Sequence, residues 1–284
     1  MIPNSRPSLE SPSSLPLVLI SFDRGAMLER TIRALERQTV PVEAVVHDNG
    51  STDPATLDVL DRLEMRGTRV FRYPPITSPD ELNLVDRTVT KVCGRRSRGP
   101  YAVSDCDVSL EDSDPQAIEM YLRFLDTEPA AECVGPMLRI EDIPSDYPLF
   151  GKVINRHVEQ FWHKEPLWTE ALGRTVAYQW APIDTTMAVH RGGTPFHREK
   201  SGIRVYRPFD ALHLDWYSHD SSPSGYGQRS SPAVSHWSND EYRERHAAER
   251  PDFDEYVIVV ESPPGTLRAA RHRVADHPVK SAGH

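Results

Sequence analysis

Short apolar runs alternate with segments of helical periodicity through the first half of the chain, and this alternation constrains the fold most strongly. Residues 17–21 form a short, almost wholly apolar run, and apolar residues then recur at helical spacing through 26–38. The pattern repeats with further strands at 42–47, 68–73 and 101–104 and with further helices from Pro54, Ser78 and Asp114. Strands that are apolar throughout are typical of a sheet covered on both faces. The order therefore predicts an α/β fold: a Rossmann-like, mostly parallel sheet with helices on both faces.

Polar motifs follow the second and fourth predicted strands, at the edge where such sheets bind ligands. Residues 48–53 read Asp-Asn-Gly-Ser-Thr-Asp, and Asp105 and Asp107 flank Cys106 directly after the fourth strand. Two carboxylates at positions i and i+2 can converge into an oxygen-rich site for a hard divalent cation, Mn²⁺ or Mg²⁺. Aspartates are also common after strands as turn formers and helix caps, so the pair by itself leaves both interpretations open.

The charge and the apolar runs exclude several classes of partner. The formal net charge is −9, and no concentrated basic surface is evident, so we expect no nucleic-acid partner. The longest apolar runs, 15–20 and 256–260, fall far short of the roughly 20 residues that cross a bilayer, so we expect no stable membrane insertion. The first residues lack the pattern of a secretory signal, and the three scattered cysteines suit a reducing compartment. We expect a cytoplasmic protein.

Three segments together resemble the family-2-like glycosyltransferases of the GT-A fold. Residues 17–24 look like the opening strand and nucleotide loop of that family, and residues 45–53 are similar to its second-strand signature. Residues 102–107 look like its metal motif, at the expected order and distance. The resemblance implies a metal-dependent enzyme that transfers a sugar from a nucleotide diphosphate sugar to an acceptor hydroxyl, with inversion.

The resemblance also implies roles for residues of the first half. Asp48 would hydrogen-bond the nucleotide base, and Phe22 and Arg24 would line its pocket. Asp105 and Asp107 would contact the ribose, the metal and the diphosphate. A carboxylate can accept hydrogens from several bases, so Asp48 would not by itself fix the nucleotide. An Asx-turn that holds the bend after Asp48 is the alternative interpretation.

Two candidates lie in the second half. Asp184 is the predicted catalytic base, since inverting transfer needs a carboxylate to take the proton of the acceptor hydroxyl. An ion pair between Asp184 and Arg191, or a turn capped by Asp184, is the alternative. His213 would complete the metal site, as the resemblance implies, because its flanking leucines would turn to the opposite face of an extended segment. An imidazole ligand favours manganese over magnesium. A core histidine bonded to the backbone is the alternative for His213.

These assignments give an organisation for the whole chain. We predict a flexible tail over 1–14, a nucleotide-sugar-binding half over 15–130, an acceptor-binding half of the same domain over 131–262, and a flexible tail over 263–284. Residues 150–164 are predicted to form a helix on the acceptor side rather than a membrane anchor. The expected partners are the sugar donor and a hydroxyl-bearing acceptor, and a homodimer is a further candidate assembly.

Other functions share parts of the pattern. A haloacid-dehalogenase-like phosphatase also has two aspartates after an apolar strand, but its first aspartate is a nucleophile near the start of the domain. Two strand–helix units precede Asp105 here. A sugar nucleotidylyltransferase would open with a glycine-rich basic loop, which residues 22–25 do not supply. A catalytically inactive binding protein of the same fold is the remaining alternative, and the presence of both Asp105 and Asp107 argues against it.

Overall fold

The computed structural model describes residues 14–94, 99–193, 196–217, 226–262 and 266–279. In the first half of the chain, the helices and strands are β1 (Leu15–Ser21), α1 (Gly25–Leu35), β2 (Val42–Asp48), α2 (Pro54–Met65), β3 (Arg69–Arg72), α3 (Val85–Cys93), β4 (Tyr101–Asp105), β5 (Val108–Ser109) and α4 (Ala117–Thr127). In the second half they are β6 (Cys133–Pro136), α5 (Phe150–His157), β7 (Leu167–Ala171), β8 (Arg174–Trp180), β9 (Ala188–His190), β10 (Gly202–Val205), β11 (Leu212–His213), α6 (Asp240–His246), β12 (Glu255–Ser262) and β13 (Thr266–Arg273).

A nine-stranded sheet organises the described residues, in the order β3-β2-β1-β4-β9-β6-β10-β8-β7. Strands β3, β2, β1 and β4 are parallel neighbours, and β6 is parallel to β10. Only β8 and β9 run against the others in this sheet. The predicted α/β fold with a mostly parallel sheet is confirmed. Both halves of the chain contribute strands to this sheet.

Helices cover both faces of the sheet, as predicted. Successive side chains of a strand point to opposite faces, so β1 is buried on two sides. Leu17 of β1 and Leu28 of α1 belong to the main hydrophobic cluster. Val18 of β1 belongs to a second cluster with Val85 and Val89 of α3. This two-sided burial explains why the sequence of β1 is continuously apolar.

The strand register places the polar motifs at one edge. Ser21 pairs with Asp48, and Ile20 pairs with Asp105, so the loops that follow β1, β2 and β4 lie side by side. The small antiparallel pair of β5 and β11 then brings the second half to this edge, because His213 pairs with Val108. The backbone N–H of Leu214 donates to the carbonyl oxygen of Asp107 at 2.7 Å. This ladder sets a late segment of the chain against the Asp105–Asp107 loop.

The helix predicted over 150–164 is present as α5 followed by a π-helical turn, Val158–Trp162. Val153, Ile154 and Val158 are fully buried in the main hydrophobic cluster, and Phe161 and Trp162 are nearly so. This apolar side therefore faces the protein core, as expected for a helix that is not a membrane anchor. Within the described ranges, every helix is too short or too polar to span a bilayer.

The C-terminal region differs from its prediction. Residues from 263 onward were expected to form a flexible tail, but Thr266–Arg273 is strand β13, which pairs along its whole length with β12. Small and basic residues dominate β13 and give little apolar signal, whereas its strand pairing comes from β12, whose Tyr256 and Val257 are buried. Residues 263–265 and 280–284 lie outside the described residues, as does the tail predicted over 1–14 except for Ser14.

Gly50 offers a direct test of the turn after β2. It has a φ of +80°, and a Cβ atom there would lie 2.4 Å from the backbone nitrogen of Pro75. We expect Gly50→Ala to lower the free energy of unfolding by about 2–4 kcal/mol, because backbone strain and a clash with rigid main chain add. Gly67→Ala is the matched control, since Gly67 has a φ of +91° but no atom of the described residues within 4 Å of the added Cβ. The Gly67→Ala substitution should lower the free energy of unfolding, measured by urea denaturation, by about 1 kcal/mol. Equal losses in the two variants would show that Pro75 does not constrain the turn.

Candidate functional site

A cavity of about 630 Å³ opens at the carboxyl ends of β1 and β4. Its walls combine residues of the first half, including Phe22, Arg24 and Asp107, with residues of the second half, including Asp184 and His213. The strand register and the β5–β11 ladder explain this convergence. The cavity is therefore large enough for a small-molecule ligand and lies where open α/β sheets bind theirs.

Asp107, His213 and Asp215 form a compact group beside the cavity, and Asp107 and His213 line it. One ligand atom from each lies within 4.8 Å of the others, and all three side chains are buried. The Nε2 atom of His213 is 3.8 Å from Oδ2 of Asp107, and the buried Nδ1 atom of His213 has no hydrogen-bond partner among the residues that the structure describes. Two carboxylates and an imidazole are a suitable ligand set for a divalent ion such as manganese.

Arg24 already contacts both carboxylates of this group. Its Nη1 donates to Oδ2 of Asp107, and its Nη2 donates to Oδ2 of Asp215 at 2.5 Å and to Oγ of Ser238 at 2.7 Å. The guanidinium carbon lies 4.4 Å from the centre of the Tyr226 ring. Burial opposes the charged form, but Asp215, Tyr226 and Asp107 hold the pKa of Arg24 above its usual value. Arg24 lines the cavity as predicted, but its contacts in the structure are with the candidate metal ligands.

Asp105 lies beside this group rather than within it. Its Oδ2 accepts a hydrogen bond from Oγ1 of Thr185 at 2.8 Å. Burial and the charge of Asp107 raise the pKa of Asp105 to about 8, against the opposing effect of Arg198. Of the three predicted metal ligands, the structure brings Asp107 and His213 together, and Asp215 takes the third place that the sequence analysis gave to Asp105.

The predicted base-binding residues have different environments. Phe22 lines the cavity, with its ring centre 6.1 Å from that of Tyr226. Asp48 is buried, and its carboxylate accepts hydrogen bonds from the backbone of Gly50 and from the backbone and hydroxyl of Ser51. The alternative of an Asx-type turn at Asp48 is therefore present in the structure. Recognition of a base by Asp48 stays a prediction.

Asp184 reaches the cavity from the loop between β8 and β9. Its Oδ1 accepts hydrogen bonds from the backbone and hydroxyl of Thr186, at 2.9 and 2.8 Å. Desolvation opposes ionisation, but the charge of Arg204 and the bonds from Thr186 together lower the pKa of Asp184. It is therefore ionised at neutral pH, the form that a general base needs. Arg191, the alternative partner, instead donates to the carbonyl oxygens of Leu125, Glu128 and Ala131.

Asp215 was not among the predicted site residues. A signal for it exists, because His213 and Asp215 repeat the i, i+2 spacing of Asp105 and Asp107 directly after a short strand. The following residues Leu214–Tyr217 form a 3₁₀-helical turn that buries Asp215. The spacing alone would not have shown which residues of these two pairs lie close together in the structure.

Comparisons with known proteins give structural but not sequence matches. No protein-family model matches the chain, and no curated protein matches it. A mannosyltransferase from Pyrobaculum calidifontis, solved with GDP-Man and Mn²⁺, aligns with 13% identity over 62% of this chain and 44% of that one, at a TM-score of 0.36. TarS from S. aureus aligns with 13% identity over 62% of this chain and 47% of that one, at a TM-score of 0.39. A mycobacterial protein aligns with 14% identity over 93% of this chain and 86% of that one, at 0.41. The alignments span less than half the length of the first two proteins, and all three TM-scores lie below 0.5.

Proposed function

We propose that the chain is a cation-dependent glycosyltransferase that binds a nucleotide diphosphate sugar in this cavity and transfers the sugar to an acceptor hydroxyl, with inversion. The observation that supports it most is the meeting of Asp107, His213 and Asp215 at the carboxyl end of β4. The same cavity holds an ionised carboxylate, Asp184, outside that group. A cation can stabilise the departing diphosphate, and a separate base can take the proton of the acceptor hydroxyl, so the two groups together suit inverting sugar transfer.

The cation would be held by Asp107, His213 and Asp215, with manganese preferred because one ligand is an imidazole. Such an ion would supply positive charge against the negative charge that develops on the departing diphosphate. The chain's own contribution is to hold the two carboxylates and the imidazole in place. Ser238 assists, since its hydroxyl donates to Oδ2 of Asp215 at 2.8 Å.

Asp184 is proposed to act on the acceptor. The hydrogen bonds from Thr186 hold the carboxylate at Oδ1, and the lowered pKa of Asp184 keeps the carboxylate ionised. Phe22 offers an aromatic surface in the donor part of the cavity, and Asp48 shapes the turn that brings Asn49 to the cavity wall. A nucleophilic role for Asp105, as in a phosphatase, fits less well. Burial and Asp107 raise its pKa to about 8, and a protonated carboxyl is a poor nucleophile.

Calorimetric titration of UDP, GDP and TDP into the protein, with Mn²⁺ or with EDTA, tests the proposal. We expect one nucleotide to bind well with Mn²⁺ and at least about tenfold more weakly with EDTA, because linked binding makes each ligand depend on the other. The sugar donors of the preferred nucleotide are then assayed for release of the nucleoside diphosphate. Nucleotide affinity that is unchanged by EDTA would contradict the cation dependence. The lack of binding by all three nucleotides would contradict the proposed donor.

A further inference from the structure

We propose that Arg24 is a built-in competitor of the divalent cation. In the metal-free protein its guanidinium holds the two carboxylates that would ligate the ion, and the ion binds by displacing it. The inference rests on the proposed function, since the competing ion is the one assigned to Asp107, His213 and Asp215. It makes Arg24 a residue that sets how tightly, and in what order, the cation and the nucleotide bind.

The contacts of Arg24 coincide with the ligand atoms. Oδ2 of Asp107 accepts from Arg24 Nη1, and this same oxygen faces Nε2 of His213 at 3.8 Å. Oδ2 of Asp215 accepts from Arg24 Nη2 at 2.5 Å. A guanidinium presents its N–H groups in a fixed planar fork, so a single side chain can satisfy both carboxylates. A metal ion seated between these oxygens would need the positions that the fork takes.

Burial makes the competition strong. Arg24, Asp107 and Asp215 are 9%, 4% and 2% exposed, so water screens their charges weakly. Breaking a buried ion pair by removing one partner is strongly unfavourable, and the two carboxylates therefore need a cation at all times. A divalent ion added beside a fixed Arg24 would place three positive charges against the two carboxylates. Repulsion at such short range in a poorly screened site favours exchange over addition.

A displaced Arg24 side chain would have other groups to contact in the cavity. The residue sits in the loop between β1 and α1, directly before the first residue of α1, and its side chain lines the cavity rather than the core. Its guanidinium already lies against the face of the Tyr226 ring, on the cavity side of the site. An anionic diphosphate in the cavity offers Arg24 new oxygen partners as the ion takes the old ones. The ion and the nucleotide then bind more tightly together than either does alone.

Measuring Mn²⁺ binding without nucleotide, by electron paramagnetic resonance of the full chain, isolates the competition. We expect Arg24→Gln to bind Mn²⁺ at least about tenfold more tightly than the wild type. If Arg24 occupies the carboxylates in about nine of ten wild-type molecules, the apparent affinity for Mn²⁺ falls by about that factor. Arg24→Lys keeps the charge but loses the fork, so its affinity should fall between the two. The matched control is Arg139→Gln, which removes another buried arginine, one paired with Asp210 at 2.8 Å outside the cavity. Its Mn²⁺ affinity should equal that of the wild type.

Thermal unfolding supplies a second readout. Metal-free Arg24→Gln should melt below the wild type, because Asp107 and Asp215 lose their partner, and saturating Mn²⁺ should raise its melting temperature more than it raises that of the wild type. Unchanged or weaker Mn²⁺ binding by folded Arg24→Gln overturns the proposal. If that variant does not fold, Arg24→Lys decides: tighter Mn²⁺ binding supports the competition, and unchanged binding overturns it.

The outcomes separate this inference from the proposed function. Wild-type protein that binds Mn²⁺ and nucleotide together, with Arg24 variants no tighter for Mn²⁺, overturns the competition and leaves the function standing. Absence of Mn²⁺ binding in the wild type with nucleotide and in every Arg24 variant overturns both.

Discussion

Replacing Asp107 by asparagine should weaken Mn²⁺-dependent nucleotide binding by at least about 100-fold, the upper end of what is lost when groups supporting a metal ligand are removed. The amide that replaces the carboxylate is uncharged, so it attracts a divalent cation far less. Asp107 also faces both His213 and Arg24, so its replacement changes the centre of the group. Calorimetric titration with the nucleotide and Mn²⁺ measures the loss directly.

The control for Asp107→Asn is Asp210→Asn. Asp210 is equally buried and is bound by the Nε and Nη2 atoms of Arg139, at 2.8 and 3.1 Å, but it lies outside the cavity. Both variants lose a buried ion pair, and both should lose stability. Only Asp107→Asn should lose the cation. Equal nucleotide affinities in these two variants would remove Asp107 from the cation site.

Replacing Asp184 by asparagine should reduce turnover by about 10²- to 10⁴-fold, the range attributed to general acid–base catalysis, without weakening donor binding. The asparagine oxygen can still accept the two hydrogen bonds from Thr186, so the loop should keep its conformation. What is lost is the ability to take a proton at neutral pH. Steady-state kinetics at saturating acceptor, beside calorimetry of the donor, separate these effects.

Asp114→Asn is the matched control for Asp184→Asn. Asp114 likewise accepts a hydrogen bond from the backbone two residues further on, Gln116, at 2.9 Å, and it pairs with Arg174. It does not line the cavity. The turnover of Asp114→Asn should match that of the wild type within about twofold, because surface ion pairs contribute little to stability. If Asp184→Asn behaves in the same way, another group must accept the proton.

The fold was largely predictable because its signals are local. The buried strand β1 is apolar on both sides, and Asp53 caps α2 by accepting from the backbone N–H of Thr56, with Pro54 at the first turn. Such features depend on neighbouring residues, which the sequence displays directly. Strand β13 was not predicted, because its arginines and alanines give little apolar signal. It forms by pairing with β12.

The site was only partly predictable because its decisive contacts are long-range. Arg24 meets Asp107 from 83 residues away and Asp215 from 191 residues away. The first contact depends on the pairing of β1 with β4, and the second also depends on the ladder between β5 and β11. Strands of two residues have no periodicity to detect. The resemblance suggested His213 as a partner of Asp107. It gave no reason to expect that an arginine of the nucleotide loop would hold the same carboxylate.

The β5–β11 ladder also has a consequence for the protein while it is being made. Asp107 leaves the ribosome about a hundred residues ahead of His213, a delay of roughly 5–20 s at the usual 5–20 residues per second. Until His213 and Asp215 are synthesised, the growing chain presents Asp107 without the other two ligands. A nascent chain that has folded only its first strands therefore lacks two of the three residues of the candidate cation site, and this group can assemble only after Asp215 has been synthesised.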